Sequence, residues 1–250
     1  MMTSWKNGLF GDVRGTGTFG VPEACKATIW IAGDSDTGKN EDDFYNALVA
    51  MFTEFKNYTR PDHKVFAVLP GRFINIAFDN HQRQRNTILR IINDLDFVHF
   101  GAETFDIPII HEQFFTPAGQ ATLNTRLANR VSAIFGKRSE IGTLGPIITT
   151  AAYSGTTVTA NVELDGGSAL SGHDINQFRI EKNGTPVTIS SVNVAGATLT
   201  LTLASAIASG STVKLWCNYG RGAGITPANV VKDANGLPMR TISALNVTEL

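Results

Sequence analysis

The chain has 250 residues, of which 42% are hydrophobic and 17% are charged, and its formal net charge is −1. This composition predicts a globular protein with an ample core and excludes an intrinsically disordered chain. A charge so close to zero gives no electrostatic attraction for nucleic acid or for an anionic membrane surface. No run of 18 apolar residues occurs, so no membrane insertion is expected. The N-terminus has no apolar signal-peptide core, which predicts synthesis in the cytoplasm.

Residues 1–24 are rich in glycine and carry isolated aromatic side chains at Trp5, Phe10 and Phe19. Such glycine density argues against a helix. The segment is therefore interpreted either as a coil that packs on its own domain or as an N-terminal arm that docks on another subunit. The second interpretation predicts contacts with other virion or surface subunits, and a homo-oligomer.

Residues 25–138 alternate between short apolar strands and segments of helical periodicity. Thr116 and Pro117 form a helix start, with Thr116 as the N-cap and Pro117 in the first helical position. This alternation predicts an α/β domain with a parallel sheet covered by helices. The predicted strands are residues 26–32, 64–69 and 97–102, and the predicted helices are residues 42–57, 81–94 and 117–135.

Residues 145–250 form a second predicted domain, which follows a linker at residues 136–146. The segment is rich in Thr, Ser, Val, Ala and Gly, and turn signals such as Asn183-Gly184 separate runs of alternating polarity. The pattern predicts an all-β, antiparallel Ig-like sandwich. Its predicted strands are residues 147–152, 156–164, 177–182, 185–194, 198–204, 212–218 and 244–247.

The two cysteines, Cys25 and Cys217, fall in different predicted domains. A disulfide between them is therefore not expected, and each is predicted to fill a small buried site. No spacing of Cys and His is typical of a zinc site. The sequence predicts no metal and no cofactor.

The run Phe115-Thr116-Pro117-Ala118-Gly119-Gln120 resembles the end of the last motif of the SGNH-type carbohydrate O-acetylesterases. In that family an Asp-x-x-His pair directly precedes such a helix start. Counting back without a gap, His111 occupies the Asp position and Phe114 the His position. A phenyl ring has no titratable nitrogen and cannot act as a general base. The resemblance therefore implies a truncated, degenerate esterase-like domain.

A second block, Ile29 to Asp36, resembles the internal Trp-x-Gln-Gly-Glu-Ser-Asp block of the sialate O-acetylesterase-like family. On this register the family's oxyanion-donating Gln is replaced by Ala32, whose methyl group cannot stabilise a tetrahedral intermediate. The family's Gly-Gln-Ser-Asn nucleophile block has no counterpart in the residues upstream. The resemblance covers about residues 26–135, the second half of the family's hydrolase fold.

An alternative register of the same Asp-x-x-His motif retains the two catalytic residue types. Asp96-Phe97-Val98-His99-Phe100 also has the Asp-x-x-His form, so Asp96 and His99 could serve Ser35 as an acid–base pair. Alternation along a strand predicts instead that Val98 and Phe100 line one face of the strand and that His99 points to the other face. A further alternative is an esterase completed by a partner subunit that supplies the nucleophile. An exposed apolar sheet edge would favour that arrangement.

The C-terminal domain resembles the Ig-like sandwiches appended to bacterial surface proteins and to phage-encoded esterases. The resemblance lies in residues 178–184, 187–196 and 199–205 and in the turn at residues 233–238. Sugar binding requires exposed aromatic rings, and Tyr219 with Arg221 is the better surface candidate. Trp216 is a further candidate, although it is expected to belong to the core.

These inferences together predict a non-catalytic structural protein of a virion or an extracellular surface. It would act as a decoration, fibre or adhesion component and would bind host polysaccharide. The alternative is a carbohydrate O-acetylesterase of SGNH type, alone or completed by a partner.

Overall fold

The computed structural model describes residues 25–31, 40–73, 80–110, 114–220, 222 and 224–250. The chain divides into two compact units. The first unit comprises Met1–Leu69 and Arg83–Gly101, and the second comprises Pro70–Gln82 and Ala102–Leu250. The predicted N-terminal arm, residues 1–24, lies outside the described residues. The predicted domain bounds, 25–138 and 145–250, stay a prediction.

The first unit contains a three-stranded sheet in the order β1-β2-β3, and β1 pairs with β2 in parallel. The elements follow each other as strand and helix, as the periodicity predicts. Their bounds are β1 Ala27–Trp30, α1 Glu41–Tyr58, β2 Lys64–Val68, α2 Asn80–Asp94 and β3 Val98–Ala102. The first three residues of α2 and the last residue of β3 are counted in the second unit.

Helix α1 begins at a side-chain cap and buries one stripe. Asn40 accepts a hydrogen bond from the backbone N–H of Asp42 at 2.9 Å, which satisfies one of the free amides of the first turn. Its buried side chains recur at helical spacing, so one face of the helix packs in the core. They are Phe44, Leu48, Phe52 and Phe55.

The second unit contains helix α3, Pro117–Ile134, and a short hairpin that precedes it. The hairpin pairs β4, Ile109–Ile110, with β5, Phe114–Phe115. Thr116 accepts a hydrogen bond from the backbone N–H of Gly119 at 3.0 Å, which confirms the predicted N-cap.

The remainder of the second unit is rich in β-structure. An eight-stranded sheet has the order β10-β9-β13-β15-β6-β7-β12-β11, and a two-stranded sheet pairs β14 with β8. The bounds are β6 Ile147–Ser154, β7 Thr157–Glu163, β8 Leu170–Ser171, β9 Phe178–Lys182, β10 Thr185–Val187, β11 Ile189–Ala195, β12 Thr198–Leu203, β13 Val213–Cys217, β14 Lys232–Asp233 and β15 Ile242–Glu249.

The fold agrees with an α/β region that has a parallel sheet, together with a β-rich region, but three details differ from the sequence prediction. β15 pairs with β6 in parallel, so the large sheet is not wholly antiparallel. The predicted strand at residues 185–194 is two strands, β10 and β11, separated at Thr188. The short pairs β4–β5 and β8–β14 were not predicted, because two-residue strands carry no periodicity.

The alternation predicted in the β-rich region decides which side chains are buried. In β12 the leucines Leu199, Leu201 and Leu203 are at most 3% exposed and belong to the main hydrophobic cluster. Cys217 belongs to the same cluster, as predicted, but Cys25 is exposed, so its predicted burial is wrong. The chain position of Cys25, two residues before β1, places it outside a packed element. Within the described ranges no helix combines the length and apolarity that crossing a membrane requires.

Candidate functional site

A loop of unusual backbone conformation follows strand β13 in the second unit. Asn218, Gly220, Gly222 and Gly224 all have positive φ angles, between 58° and 80°. Glycine adopts this region without steric cost, whereas a β-carbon there is strained. The glycine run that follows Tyr219 in the sequence therefore serves a sharply turning loop.

Buried amide side chains fix the start of this loop. Asn218 donates from Nδ2 to the carbonyl oxygen of Met239 at 2.8 Å, and it accepts from Gln177 Nε2 at 3.0 Å. Gln177 in turn accepts from the backbone N–H of Val231 at 2.8 Å. Both amide side chains are fully buried. Buried polar networks of this kind hold a single geometry, because each lost hydrogen bond would leave a desolvated partner.

The far side of the loop is held by Arg72 and Gln82. The Arg72 guanidinium donates to the carbonyl oxygens of Ile225 at 3.2 Å and Ile107 at 3.0 Å. Gln82 Oε1 accepts from the backbone N–H of Gly220 at 3.1 Å. The loop is thus anchored at several points and presents Tyr219 in a defined position.

Tyr219 lies against two side chains of the neighbouring strands. Its ring meets the Trp216 ring edge to face, with centroids 5.8 Å apart. The Arg179 guanidinium carbon lies over the Tyr219 ring at 4.3 Å from its centroid. Arg179 Nε also donates to Glu181 at 2.7 Å, so a carboxylate balances its charge. The cluster is aromatic and polar without a strong net charge.

This cluster lines an open groove with a volume of about 400 Å³. The groove combines an aromatic ring with hydrogen-bonding groups and exposed backbone, which is the composition of a site for a small polar ligand. Its lining residues are Ile175, Asn176, Phe178, Arg179, Val187, Thr188, Ile189, Tyr219, Gly220 and Gly222.

The three sugar-binding candidates from the sequence have different outcomes. Tyr219 lines the groove. Trp216 is only 8% exposed and packs edge to face against Tyr219, as expected of a core residue that supports that ring. Arg221 lies outside the described residues. Arg179 stands over the tyrosine ring instead, and the sequence could not indicate this because 40 residues separate the two.

The esterase candidates are only partly described. Ala32, Ser35 and His111 lie outside the described residues. Phe114 lies on the β4–β5 hairpin with its side chain 62% exposed, directly opposite Ile110. An exposed phenyl ring at this position offers neither a base nor a buried packing role.

Asp96 and His99 lie in the first unit. Asp96 is an exposed carboxylate, 91% accessible, which pairs with Lys56 Nζ at 3.8 Å. His99 is half-buried on β3, between the buried Val98 and Phe100, as strand alternation predicts. Its ring centroid lies 5.7 Å from that of Phe66. The catalytic pairing of these residues with Ser35 stays a prediction.

Part of the second unit matches a protein-family model. Residues 145–220 match a repeat described as a putative flagellar system-associated repeat. No curated protein matches the chain by sequence.

Solved structures resemble this fold at low sequence identity. A carbohydrate acetylesterase from Xanthomonas citri is similar over 87% of this chain, with a TM-score of 0.66 and 16% identity. The match covers 49% of that protein, so the chain spans about half its length. The likeness shows an esterase-like fold.

Two other solved structures align less closely. The surface-layer protein SbsC aligns with 66% of this chain and 19% of its own, at 18% identity and a TM-score of 0.32. An archaellum periplasmic stator complex from Sulfolobus acidocaldarius aligns with 39% of this chain and 88% of its own, at 18% identity and a TM-score of 0.22.

Proposed function

We propose that this chain is a surface structural protein that uses an acetylesterase-like fold without acetylesterase chemistry and binds carbohydrate through its second unit. The observation that carries the proposal is the groove around Tyr219, because it combines an aromatic ring with hydrogen-bonding side chains. The sequence register supports the absence of chemistry, since Phe114 and Ala32 occupy the positions of a proton acceptor and an oxyanion donor.

The groove favours a neutral, hydroxyl-rich ligand. Tyr219 supplies an aromatic surface, and the Asn176 amide and Thr188 hydroxyl supply donors and acceptors. The ion pair of Arg179 with Glu181 leaves little net charge to attract an anion. A volume of about 400 Å³ suits one or two sugar rings better than a long chain held end to end.

The surface role rests on the second unit. Its strand order supports an Ig-like module, in which β9, β13 and β15 would take the places of strands C, F and G, and β6, β7, β12 and β11 those of A, B, E and D. Residues 145–220 match a repeat named for flagellar systems, which supports a role in an extracellular assembly. Whether that surface belongs to a virion or a cell, and whether residues 1–24 dock on other subunits, stay predictions.

A glycan microarray followed by titration calorimetry tests the proposal. Tyr219→Ala should weaken binding of the selected oligosaccharide roughly three- to tenfold, which corresponds to the binding free energy of one aromatic contact. Tyr45→Ala is the matched control, because Tyr45 also carries an arginine over its ring, Arg90 at 3.9 Å, but does not line the groove. Equal effects of the two substitutions, or no binding to any glycan, would reject carbohydrate binding at this site.

The second candidate function is that of a carbohydrate O-acetylesterase, which the fold likeness to the Xanthomonas citri enzyme favours. Release of acetate from acetylated xylan distinguishes the two. Under the structural proposal, the wild type and Ser35→Ala show the same background rate. Turnover that disappears in both Ser35→Ala and His99→Asn would establish the enzyme instead.

A further inference from the structure

A second cavity adjoins the groove around Tyr219 in the second unit. It has a volume of about 470 Å³, and Val187 and Thr188 line both the cavity and the groove. The two spaces therefore follow one another along strand β10 and the turn after it. The other residues that line the cavity belong to the β9–β10 hairpin and to the segment after β12. They are Lys182, Asn183, Thr185, Pro186, Ala204, Ser205 and Ala206.

The backbone around this cavity is fixed before any ligand arrives. Asn183 has a φ of 50° and Gly184 a φ of 78°, the left-handed pair that a two-residue type I′ turn requires. The Asn183 side chain accepts a hydrogen bond from the backbone N–H of Thr212 at 2.9 Å. On the other side, the N–H of Ala204 donates to the carbonyl oxygen of Thr188 at 2.9 Å. A ligand therefore does not have to order the walls of the cavity, which lowers the entropic cost of binding.

Lys182 gives the cavity a positive charge. The described residues that line the cavity include no acidic side chain, and no described carboxylate forms an ion pair with the Lys182 ammonium group. Alternate residues of a strand point to opposite faces, so Lys182 shares a face of β9 with the buried Ile180. Glu181 lies on the other face, where Arg179 Nε donates to it at 2.7 Å. The cavity thus favours an anionic group, in contrast to the groove.

The free edge of β10 does not suit an extended peptide. The two-residue turn makes Lys182 and Thr185 a hydrogen-bonded pair, so the backbone of the next residue, Pro186, points to the free edge. Proline has no N–H, and an added strand would find no donor at this position. The hydroxyl, amide and ammonium side chains of the cavity suit the hydroxyl and acidic groups of a glycan instead.

We propose that the cavity beside Lys182 is a second carbohydrate subsite, which binds an acidic group, carboxylate or sulfate, of the polysaccharide whose neutral ring packs on Tyr219. The inference rests on the proposed function, because it extends the groove that carries it. Residues 185 to 188 span roughly 10 Å of extended backbone, a distance that a disaccharide unit bridges. The ligand class is therefore an acidic polysaccharide that combines neutral and charged sugars.

An array of uronate-containing and sulfated oligosaccharides, each paired with a neutral form, tests the inference. In one arm the carboxyl groups are reduced to alcohols, and in the other the sulfates are removed, so the two arms separate the two sources of charge. The full chain should bind the acidic form of the selected glycan roughly two- to fivefold more tightly than its neutral form. This preference should shrink in about 1 M salt, because the charges are partly exposed and are screened.

Titration calorimetry with variants of the full chain assigns the preference to the cavity. Lys182→Gln should abolish it and leave the affinity for the neutral form unchanged, whereas Lys182→Arg should retain it. Lys214→Gln is the matched control, because Lys214 is also partly exposed and lies on the adjacent strand but lines neither the groove nor the cavity.

Two kinds of failure are distinguishable. Equal or weaker affinity for the acidic form, or equal effects of Lys182→Gln and Lys214→Gln, would overturn the second subsite. Carbohydrate binding in the groove would still stand in that case if Tyr219→Ala weakened binding of the neutral form. Binding of no glycan in either form would overturn both the subsite and the proposed function.

Discussion

The described ion pairs of the two compact units differ in burial. Among the described residues of the first unit, pairs such as Lys56–Asp96 and Arg90–Asp94 lie at the surface, where every partner side chain is at least 31% exposed. In the second unit Arg126 and Asp106 form a pair whose side chains are 9% and 4% exposed. Surface pairs contribute little to stability, whereas a buried charge that loses its partner is costly. Substitutions in the Arg126–Asp106 pair should therefore cost far more stability than substitutions in these surface pairs.

The buried pair is a small network. Arg126 donates to both carboxylate oxygens of Asp106, at 2.7 and 2.8 Å, and to the backbone oxygen of Glu103 at 2.9 Å. Lys232 Nζ lies 3.1 Å from the second oxygen of Asp106. Through these contacts helix α3 is joined to strand β14 of the same unit, although the helix and the β-rich segment are distinct in sequence.

The largest expected effect is that of Arg126→Ala. It leaves the Asp106 carboxylate buried with Lys232 alone, and should lower the free energy of unfolding by about 3–5 kcal/mol, measured by urea titration. The double variant Arg126→Met with Asp106→Leu should recover most of the loss, because no unpaired buried charge remains. A double variant less stable than Arg126→Ala would contradict this account.

Arg72→Met should have the next largest effect. The side chain of Arg72 is buried, and its removal leaves the carbonyl oxygens of Ile107 and Ile225 without this donor. We expect a loss of about 1–3 kcal/mol, together with faster amide hydrogen exchange in the loop around Gly220. Exchange that stays unchanged in this loop would show that Arg72 does not hold it.

Acid should destabilise the second unit through Asp106 and Asp165. Burial alone would raise the pKa of Asp106, but the Arg126 pair and Lys232 outweigh it and hold the pKa below its usual value. Burial would also raise the pKa of Asp165, but hydrogen bonds from the backbone amides of residues 142–145 outweigh it and hold this pKa below its usual value. A carboxyl with a lowered folded pKa contributes stability above its unfolded pKa, near 4, and this is lost as the pH falls towards the folded value.

Urea titrations at pH 7, 4 and 3 measure this dependence. The wild type should lose more stability between pH 4 and pH 3 than Asp106→Asn does, since the variant has no carboxyl to protonate at that position. Equal losses in the two proteins would mean that the pKa of Asp106 is the same in the folded and the unfolded state. Asp96→Asn is the control, because its carboxylate is exposed.

The smallest expected effect is that of Asp96→Asn at pH 7. Removing its contact with Lys56, at 3.8 Å, should change the free energy of unfolding by less than about 1 kcal/mol. The change should shrink further in 1 M salt, because exposed charges are screened. A loss comparable to that of Arg126→Ala would remove the contrast between the two units.

Local sequence patterns predicted most of the elements because those patterns depend on neighbouring residues. The Leu–Thr alternation gave β12, and Thr116 with Pro117 gave the start of α3, where a side-chain oxygen satisfies a free amide within three residues. The same local logic failed for Cys25, which was expected to be buried and is exposed. Its burial depends on what packs beside it, which a short window of sequence does not contain.

The sequence named Tyr219 as a sugar-binding candidate because its ring adjoins a glycine-rich loop, and this role stays a prediction. The sequence did not indicate Arg179, whose place over that ring is set by the pairing of β9 with β13. The Arg126–Asp106 pair depends in the same way on contacts across 20 residues of chain.

The sequence by itself determined where strands and helices form, which faces are apolar and which residue types stand at the positions of the esterase motifs, because these properties follow from side-chain chemistry and spacing along the chain. Only the tertiary structure decided that β6 and β15 run in parallel, that Arg179 covers Tyr219 at the groove, that Asp106 is buried with its partners, and that Ile29 and Ile31 remain exposed. Each of these features depends on contacts between segments that are far apart in the chain. Burial and pairing arise only when those segments pack together, so no single segment determines them.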